Sequence, residues 1–432
     1  MSTIRSTQYK MTELGPLPEE WRVVRLGEVV SLRRGTVDPA KAGYRRYVGL
    51  EHIQPGNVRL TSWGDPGSVK SAKAVFKPGD ILFAKLRPYL DKAAIAESEG
   101  ICSTDILVLT PGEHIDNWYF AFLAHHPFVL NHAISTTTGV NHPRTSWRAL
   151  SVGLIPLPPI PEQRAIAHVL RTVQRAKEAT ERVIAALKEL KKSLMKHLFS
   201  YGPVPLDQAD QVPLKETEIG PVPEHWEVVR LGEVANVKGG KRLPKGHKFS
   251  EKPTPYPYIR VVDFRNGTIN KANLKFLTPE DYQLLKRYTI SSKDVYISIA
   301  GTIGLVGVVP PDLDGANLTE NAAKIVLNDK RLDQLFLVYA LSSERGQEQI
   351  HQRAAKTSQP KLALTRIRQI PIPLPPLLEQ REIVRILQTV DRKIEAEENR
   401  KRTLEALFKT LLHHLMTGRV RVTPGRTDRE GG

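Results

Sequence analysis

The 432-residue chain repeats itself. The segment Glu13-Leu-Gly-Pro-Leu-Pro-Glu-Glu-Trp-Arg-Val-Val-Arg-Leu-Gly-Glu-Val29 returns, 205 residues later, as Glu218-Ile-Gly-Pro-Val-Pro-Glu-His-Trp-Glu-Val-Val-Arg-Leu-Gly-Glu-Val234. A second block, Ile155-Pro-Leu-Pro-Pro-Ile-Pro-Glu-Gln-Arg164, returns as Ile372-Pro-Leu-Pro-Pro-Leu-Leu-Glu-Gln-Arg381 at an offset of 217. Two blocks recurring in the same order imply a duplicated unit, and so two copies of one fold. The halves share their ends and differ by 12 residues somewhere between.

Between those blocks the halves diverge. Lys77-Pro-Gly-Asp80 precedes Ile81-Leu-Phe83, and Ser291-Ser-Lys-Asp294 precedes Val295-Tyr-Ile297. Such clusters before short β-branched or aromatic runs read as turn followed by strand. Each middle is therefore expected to be a mixed α/β domain of roughly 150 residues, an ordinary domain size. Similar frames with dissimilar interiors suggest one fold reading two different targets.

Each half then ends in a long helix. Ile166, Val169, Val173, Ala176, Thr180, Val183, Leu187, Leu190 and Leu194 keep a 3-4 alternation, a heptad seam. The second copy has Ile383, Ile386, Val390, Leu404, Leu407 and Leu411 in register. Its middle positions are polar, Lys393, Glu397 and Arg400, with Ile394 at the seam's edge. Seams this long exceed what one domain covers, so the two helices are expected to pair with each other, and antiparallel pairing would place the two domains at opposite ends of a rod. The expected divisions are domain 1–160, helix 161–200, linker 201–217, domain 218–377, helix 378–417 and a basic, disordered tail 418–432. The fold class is α+β.

Composition narrows the function. The chain has 63 Lys+Arg against 46 Asp+Glu, a net charge of +17, which suggests a polyanionic partner such as nucleic acid. The single cysteine, Cys102, excludes an internal disulfide and a four-cysteine zinc site, and fits a reducing cytoplasm. The start lacks the apolar core of a signal peptide, and the longest apolar run, 295–309, is too short to span a membrane. Lys238-Gly-Gly-Lys-Arg242 lacks the leading glycine of a phosphate loop, and Ala300-Gly-Thr-Ile-Gly-Leu-Val-Gly307 spaces its glycines wrongly for a dinucleotide fingerprint. The latter reads as strand-turn-strand. His125-His126 and His413-His414 lack partner ligands at metal spacing; the first pair is expected to cap or pack a helix. No catalytic, cofactor-binding or metal-binding residue is expected.

The excess charge is +4 over residues 1–161, +5 on 162–199 and +7 over 218–378. Candidate DNA contacts are the Arg33-Arg34 pair, Arg45 and Arg46, and the Lys85, Arg87, Tyr89 cluster. Asn141, His142 and Arg144 align with Ser358, Gln359 and Lys361 near the second domain's end. The loop carrying Lys238, Lys241, Arg242, Lys245 and Lys248 is basic and glycine-rich. Asn and Gln suit paired hydrogen bonds to adenine, and Arg and Lys suit guanine.

Two copies of Gly-Pro-x-Pro-x-x-Trp-x-x-Val-Arg-Leu-Gly-Glu, each with a variable domain, Ile-Pro-Leu-Pro-Pro-x-x-Glu-Gln-Arg and a long helix, resemble the specificity subunit of a type I restriction-modification system. The closing Leu415-Met-Thr-Gly-Arg-Val-Arg-Val422 is also similar. The resemblance implies two target-recognition domains held apart by an antiparallel coiled coil, each reading half of a bipartite, asymmetric site on double-stranded DNA. It implies methyltransferase (modification) subunits carrying S-adenosylmethionine, and an ATP-dependent, magnesium-using restriction subunit. This chain would itself be non-catalytic and bind no cofactor or membrane. The rival readings are a coiled-coil scaffold with non-specific nucleic-acid binding, and a self-sufficient methyltransferase-nuclease.

Overall fold

A computed structural model describes residues 8–355 and 361–422. The chain divides into two compact units: residues up to Arg182 together with those from Asn399 onward, and Val183–Glu398. No helix among the described residues is long and apolar enough to cross a membrane.

The first unit is built on two four-stranded sheets. One is antiparallel, in the order Val30–Leu32, Ile106–Pro111, Ile81–Ala84, Ala93–Ile95. The other runs Thr36–Val37, Lys73–Phe76, Gly100–Cys102, Tyr47–Val48, with its last pair parallel. Successive side chains on a strand face opposite ways, and here both faces are used. Ile81, Phe83, Leu107 and Leu109 enter the core beneath the helix Asn117–Leu123, while Leu82, Ile106 and Val108 enter a second core with Phe76 and Cys102. That is why the strands read as unbroken apolar runs.

The second unit repeats this plan. Its first sheet runs Ala235–Gly239, Ala322–Leu327, Val295–Ser298, Val306–Val308, and its second Lys275–Phe276, Pro257–Ile259, Ala316–Leu318, Thr289–Ile290. The parallel pair recurs, as Pro257–Ile259 with Ala316–Leu318. The outer strand differs: Thr36–Val37 flanks Lys73–Phe76, whereas Lys275–Phe276 flanks the opposite edge at Pro257–Ile259. Strand registers also locate the 12 extra residues. The offset is 205 at Val30/Ala235, 211 at Tyr47/Tyr258, 214 at Ile81/Val295, 216 at Ile106/Ala322 and 217 at Ile155/Ile372.

The two repeated sequence blocks of each half pair with one another. Arg22–Arg25 is antiparallel to Leu154–Leu157, and Glu227–Arg230 to Pro371–Leu374. Trp21 and Trp226 are fully buried, and each indole N–H donates to a glutamate of the second block, Glu162 or Glu379, at 2.9 Å. The following glutamines act as clamps. Gln163 accepts from the Asp116 N–H and donates to the His114 and Pro158 carbonyls; Gln380 does the same with Asp333, Arg331 and Pro375. Burial without these partners would leave polar groups unsatisfied, so Trp, Glu and Gln recur as a set.

The long helices span Ile160–Tyr201 and Leu377–Met416, 42 and 40 residues. Leu415 and Met416 belong to the first unit's core, and Leu198 and Phe199 to the second's. Ion pairs link the helices within each unit: Lys401–Glu181 at 2.9 Å in the first, Lys188–Glu398 at 2.9 Å and Lys191–Asp391 at 2.6 Å in the second.

Two expectations need correction. Val183, Leu190 and Leu407 of the expected seam are 42%, 48% and 43% exposed, while Ile184 and Ile394 are buried. A helix of 3.6 residues per turn drifts off a strict heptad by about 20° per repeat. Ile184 lies five whole turns from buried Ile166, so it takes the inward place that the heptad assigned to Val183. Residues 418–422, expected to belong to a disordered tail, are instead held in place. Gly418 O accepts from the Tyr9 hydroxyl at 2.9 Å, and Arg421 forks onto Glu162 at 2.6 and 2.9 Å. Residues beyond Val422 lie outside the described residues, as does the candidate Gln359.

Candidate nucleic-acid interface

One turn in each unit carries the chain from its second sheet to its first: residues 103–105, and residues 319–321. Three distant segments are laced around it in the same way twice. The Lys85 N–H donates to the Asp105 carbonyl at 3.0 Å, and the Ile299 N–H to that of Asn321 at 2.8 Å. The Thr145 N–H donates to Lys85 O at 3.0 Å, and the Leu362 N–H to Ile299 O at 2.9 Å. Leu86 bridges Arg144 and Ala300 bridges Lys361, both antiparallel.

This lacing gathers Lys85, Arg87, Asn141, His142 and Arg144, which sequence had placed in two separate clusters. Arg87 donates its backbone N–H to Pro143 O at 2.8 Å and its Nη2 to Asn141 O at 3.4 Å. Arg144 Nε and Nη2 reach the Asp105 carboxylate at 2.9 and 3.3 Å. That hydrogen bond holds the Asp105 carboxyl below its usual range and fixes the guanidinium's orientation. Arg87, Asn141 and His142 are exposed.

In the second unit the basic loop is tied to the same turn. The Gly240 N–H donates to Ala322 O at 3.0 Å and the Lys241 N–H to Leu318 O at 2.9 Å. A Cβ at Gly240 would lie 2.1 Å from Thr319 O, so only glycine permits this approach. Arg242 lies 3.4 Å from Glu320, and Lys241 Nζ sits 5.9 Å from the centre of the Tyr288 ring. Lys238, Lys241, Arg242, Lys245, Lys248 and Lys361 are all exposed. The turn thus faces cations in both units, from different positions in the chain.

Other candidates fall elsewhere. Arg33 is corrected: its Nε and Nη2 fork onto buried Asp80 at 2.6 and 2.9 Å. The same carboxylate accepts from the Lys77 N–H and the Thr110 hydroxyl, so Arg33 neutralises a buried anion of the fold. Arg34, beside it, is exposed, and so is Arg45. The Arg46 guanidinium lies 4.4 Å from the ring centre of half-exposed Trp63, a cation–π contact.

Sequence reasoning missed Asp80, Asp105 and Trp63. Asp80 is 47 residues from Arg33 and Asp105 is 39 from Arg144, so no local pattern joins them. His126 does cap a helix, accepting from the Phe128 N–H at the start of Pro127–Ser135. His125 lies between Asp91 Oδ1 at 2.7 Å and Ala93 O at 3.0 Å. Among the described residues no three His, Cys, Asp or Glu side chains gather to hold a metal ion.

The chain is similar to known proteins over most of its length. The family described as type I restriction modification DNA specificity domain matches residues 18–189 and 223–406. The type I restriction enzyme MjaVIII specificity subunit of Methanocaldococcus jannaschii is 27% identical over 421 residues, covering 94% of each chain. The EcoBI specificity subunit of Escherichia coli is 27% identical over 267 residues, 60% of this chain and 56% of the relative. Among solved structures, the type I restriction-modification S subunit from M. genitalium has a TM-score of 0.57 at 16% identity, covering 95% of this chain and 99% of that one.

Proposed function

The chain belongs to the family of type I restriction modification DNA specificity domains, and from that premise we propose that it is the DNA-recognition subunit of a type I restriction-modification complex. Each unit reads one half of a bipartite, asymmetric site on double-stranded DNA. One observation carries the reading. The same turn is framed twice by the same backbone bonds, yet the side chains on that frame differ: Lys85, Arg87 and Arg144 against Ile299, Gly301 and Lys361. A frame kept and a surface changed is what two readers of different sequences require. The exposed cations supply the phosphate attraction, and the variable side chains the base contacts. The candidate DNA contacts are Arg34, Arg45, Arg46, Lys85, Arg87, Asn141, His142, Arg144, Lys238, Lys241, Arg242, Lys245, Lys248, Gln359 and Lys361, without Arg33.

The chain is non-catalytic in this reading. Methyltransferase subunits bring S-adenosylmethionine and flip an adenine out of the DNA for N6 methylation, and a restriction subunit brings ATP-driven, magnesium-dependent cleavage. The two long helices pair as an antiparallel coiled coil that sets the half-site spacing. Their ion pairs support that direction: from Glu181 through Lys188 to Lys191 the partner number falls from 401 through 398 to 391. The test is to insert one heptad in both helices and map adenine methylation in cells carrying the full system. Seven residues add about 10 Å, close to the rise of three base pairs. The spacer should lengthen by about that much with both half-sites unchanged. Altered half-sites, or an unaltered spacer, would exclude the spacing role.

A further inference from the structure

Resting on that reading, we propose that the segment Arg87–Asp91 of the first unit is a specificity element, with Arg87 and Tyr89 reading bases of one half-site. Its counterpart in the second unit, Gly301–Gly304, reads the other half-site through Thr302 and the neighbouring Lys361.

The argument starts from the backbone. Leu86/Arg144 and Ala300/Lys361 are equivalent bridges, so Arg87 and Gly301 occupy one position on the frame. Both are left-handed, with φ of 51° for Arg87 and 73° for Gly301. Glycine adopts that region freely; a residue with a Cβ is disfavoured there by about 1–2 kcal/mol. The second unit uses the relaxed residue and the first the strained one, so the frame itself requires no arginine. Strain of this kind gathers where a side chain is needed for function.

The strained segment is held rather than loose. Asp91, also left-handed at φ 51°, is gripped by His125 at 2.7 Å, and its backbone carbonyl accepts from the Gly56 N–H at 2.8 Å. Pro88 is buried, and the Leu90 and Asp91 N–H groups close a tight turn onto Arg87 O and Pro88 O. What remains outward is Arg87, with Tyr89 54% and Leu90 40% exposed. A cation and an aromatic on a fixed backbone, beside an Arg144 already oriented by Asp105, form a preorganised surface for base edges and thymine methyls. In the second unit the connection between the equivalent strands is one residue shorter, 299–305 against 85–92, and its tip carries exposed Gly301 and Thr302. The two tips differ in charge, size and hydrogen-bonding capacity, as readers of different half-sites must.

The experiment selects bound duplexes from a randomised library with the full-length chain and sequences them. Arg87→Gly installs the residue the frame accepts in the second unit, so its melting temperature should stay within about 4 °C of the parent. It and Tyr89→Ala should each lower preference at one half-site on the order of tenfold, leaving the other half-site and the spacer intact. Thr302→Ala and Lys361→Ala should relax only the opposite half-site. If the parent selects a bipartite site and all four variants select it equally well, the inference is overturned while the proposed function stands. If the parent selects no sequence, both fail.

Discussion

The corner that closes each unit is built from the same residues in both, but what completes it differs. In the first unit Glu162 receives the Trp21 indole and both arms of Arg421, which arrives from the far end of the chain. In the second, Glu379 receives the Trp226 indole and the imidazole of half-exposed His225, its immediate neighbour in sequence. The first corner therefore draws in a third segment through a charged fork, whereas the second is completed by His225, the residue next to Trp226, and ties no further segment. Identical motifs can thus carry unequal energetic weight.

The sharpest way to break this comparison is to remove the shared acceptor. Glu162→Ala strands the buried indole N–H and takes from the partly exposed Arg421 its buried acceptor, leaving it Glu20 at the surface, and should cost about 2–4 kcal/mol. Glu379→Ala leaves one indole N–H and a hydrated histidine and should cost about 1–3 kcal/mol. Urea melts of the two variants, followed by tryptophan fluorescence, should rank them in that order. Equal losses would show that Arg421 adds nothing to the corner.

A second asymmetry should appear on acidification. The helix that follows Asn117–Leu123 in the first unit is capped by His126, and the one that follows Gln334–Ser342 in the second is capped by Ser343. Burial pushes the His126 imidazole down to about 4, and the His413 ring stacked 5.8 Å away adds to this. The unfolded chain takes the proton near 6.5, so stability of the first unit should fall as pH drops from about 6.5 to about 4 and level off below. The loss should approach about 3 kcal/mol. Hydrogen exchange at pH 7 and pH 4.5 should show protection lost around Pro127–Ser135 and retained around Glu344–Arg353; His126→Ser should remove the difference.

The smallest effect should come from the helices. Lys188 and Glu398 pair at 2.9 Å but are partly exposed, so Lys188→Ala should cost at most about 1 kcal/mol and less at high salt. A larger loss would mean that the pair is desolvated.

Much of this architecture was legible in advance. The repeated blocks identified two copies because they contain the residues that pair with each other: Arg22–Arg25 with Leu154–Leu157, and Glu227–Arg230 with Pro371–Leu374. The long helices were visible from periodicity, although their seam was assigned one residue off at Val183, because a heptad and a straight helix part company over 18 residues. The candidate interface was only half legible. Lys85, Arg87 and Arg144 were recognisable as cations, but Arg33 resembled them and belongs to Asp80. Charge alone does not distinguish a guanidinium facing solvent from one facing a buried carboxylate.

The sequence alone determined the duplication, the two long helices and the basic surplus, since repetition, periodicity and composition survive in one dimension. The tertiary structure decided where the 12 additional residues enter, which cations share a turn, and that Arg87 and Gly301 stand at one place on one frame. Those facts depend on hydrogen bonds between segments that no local sequence pattern joins, and on a backbone angle that no residue name encodes.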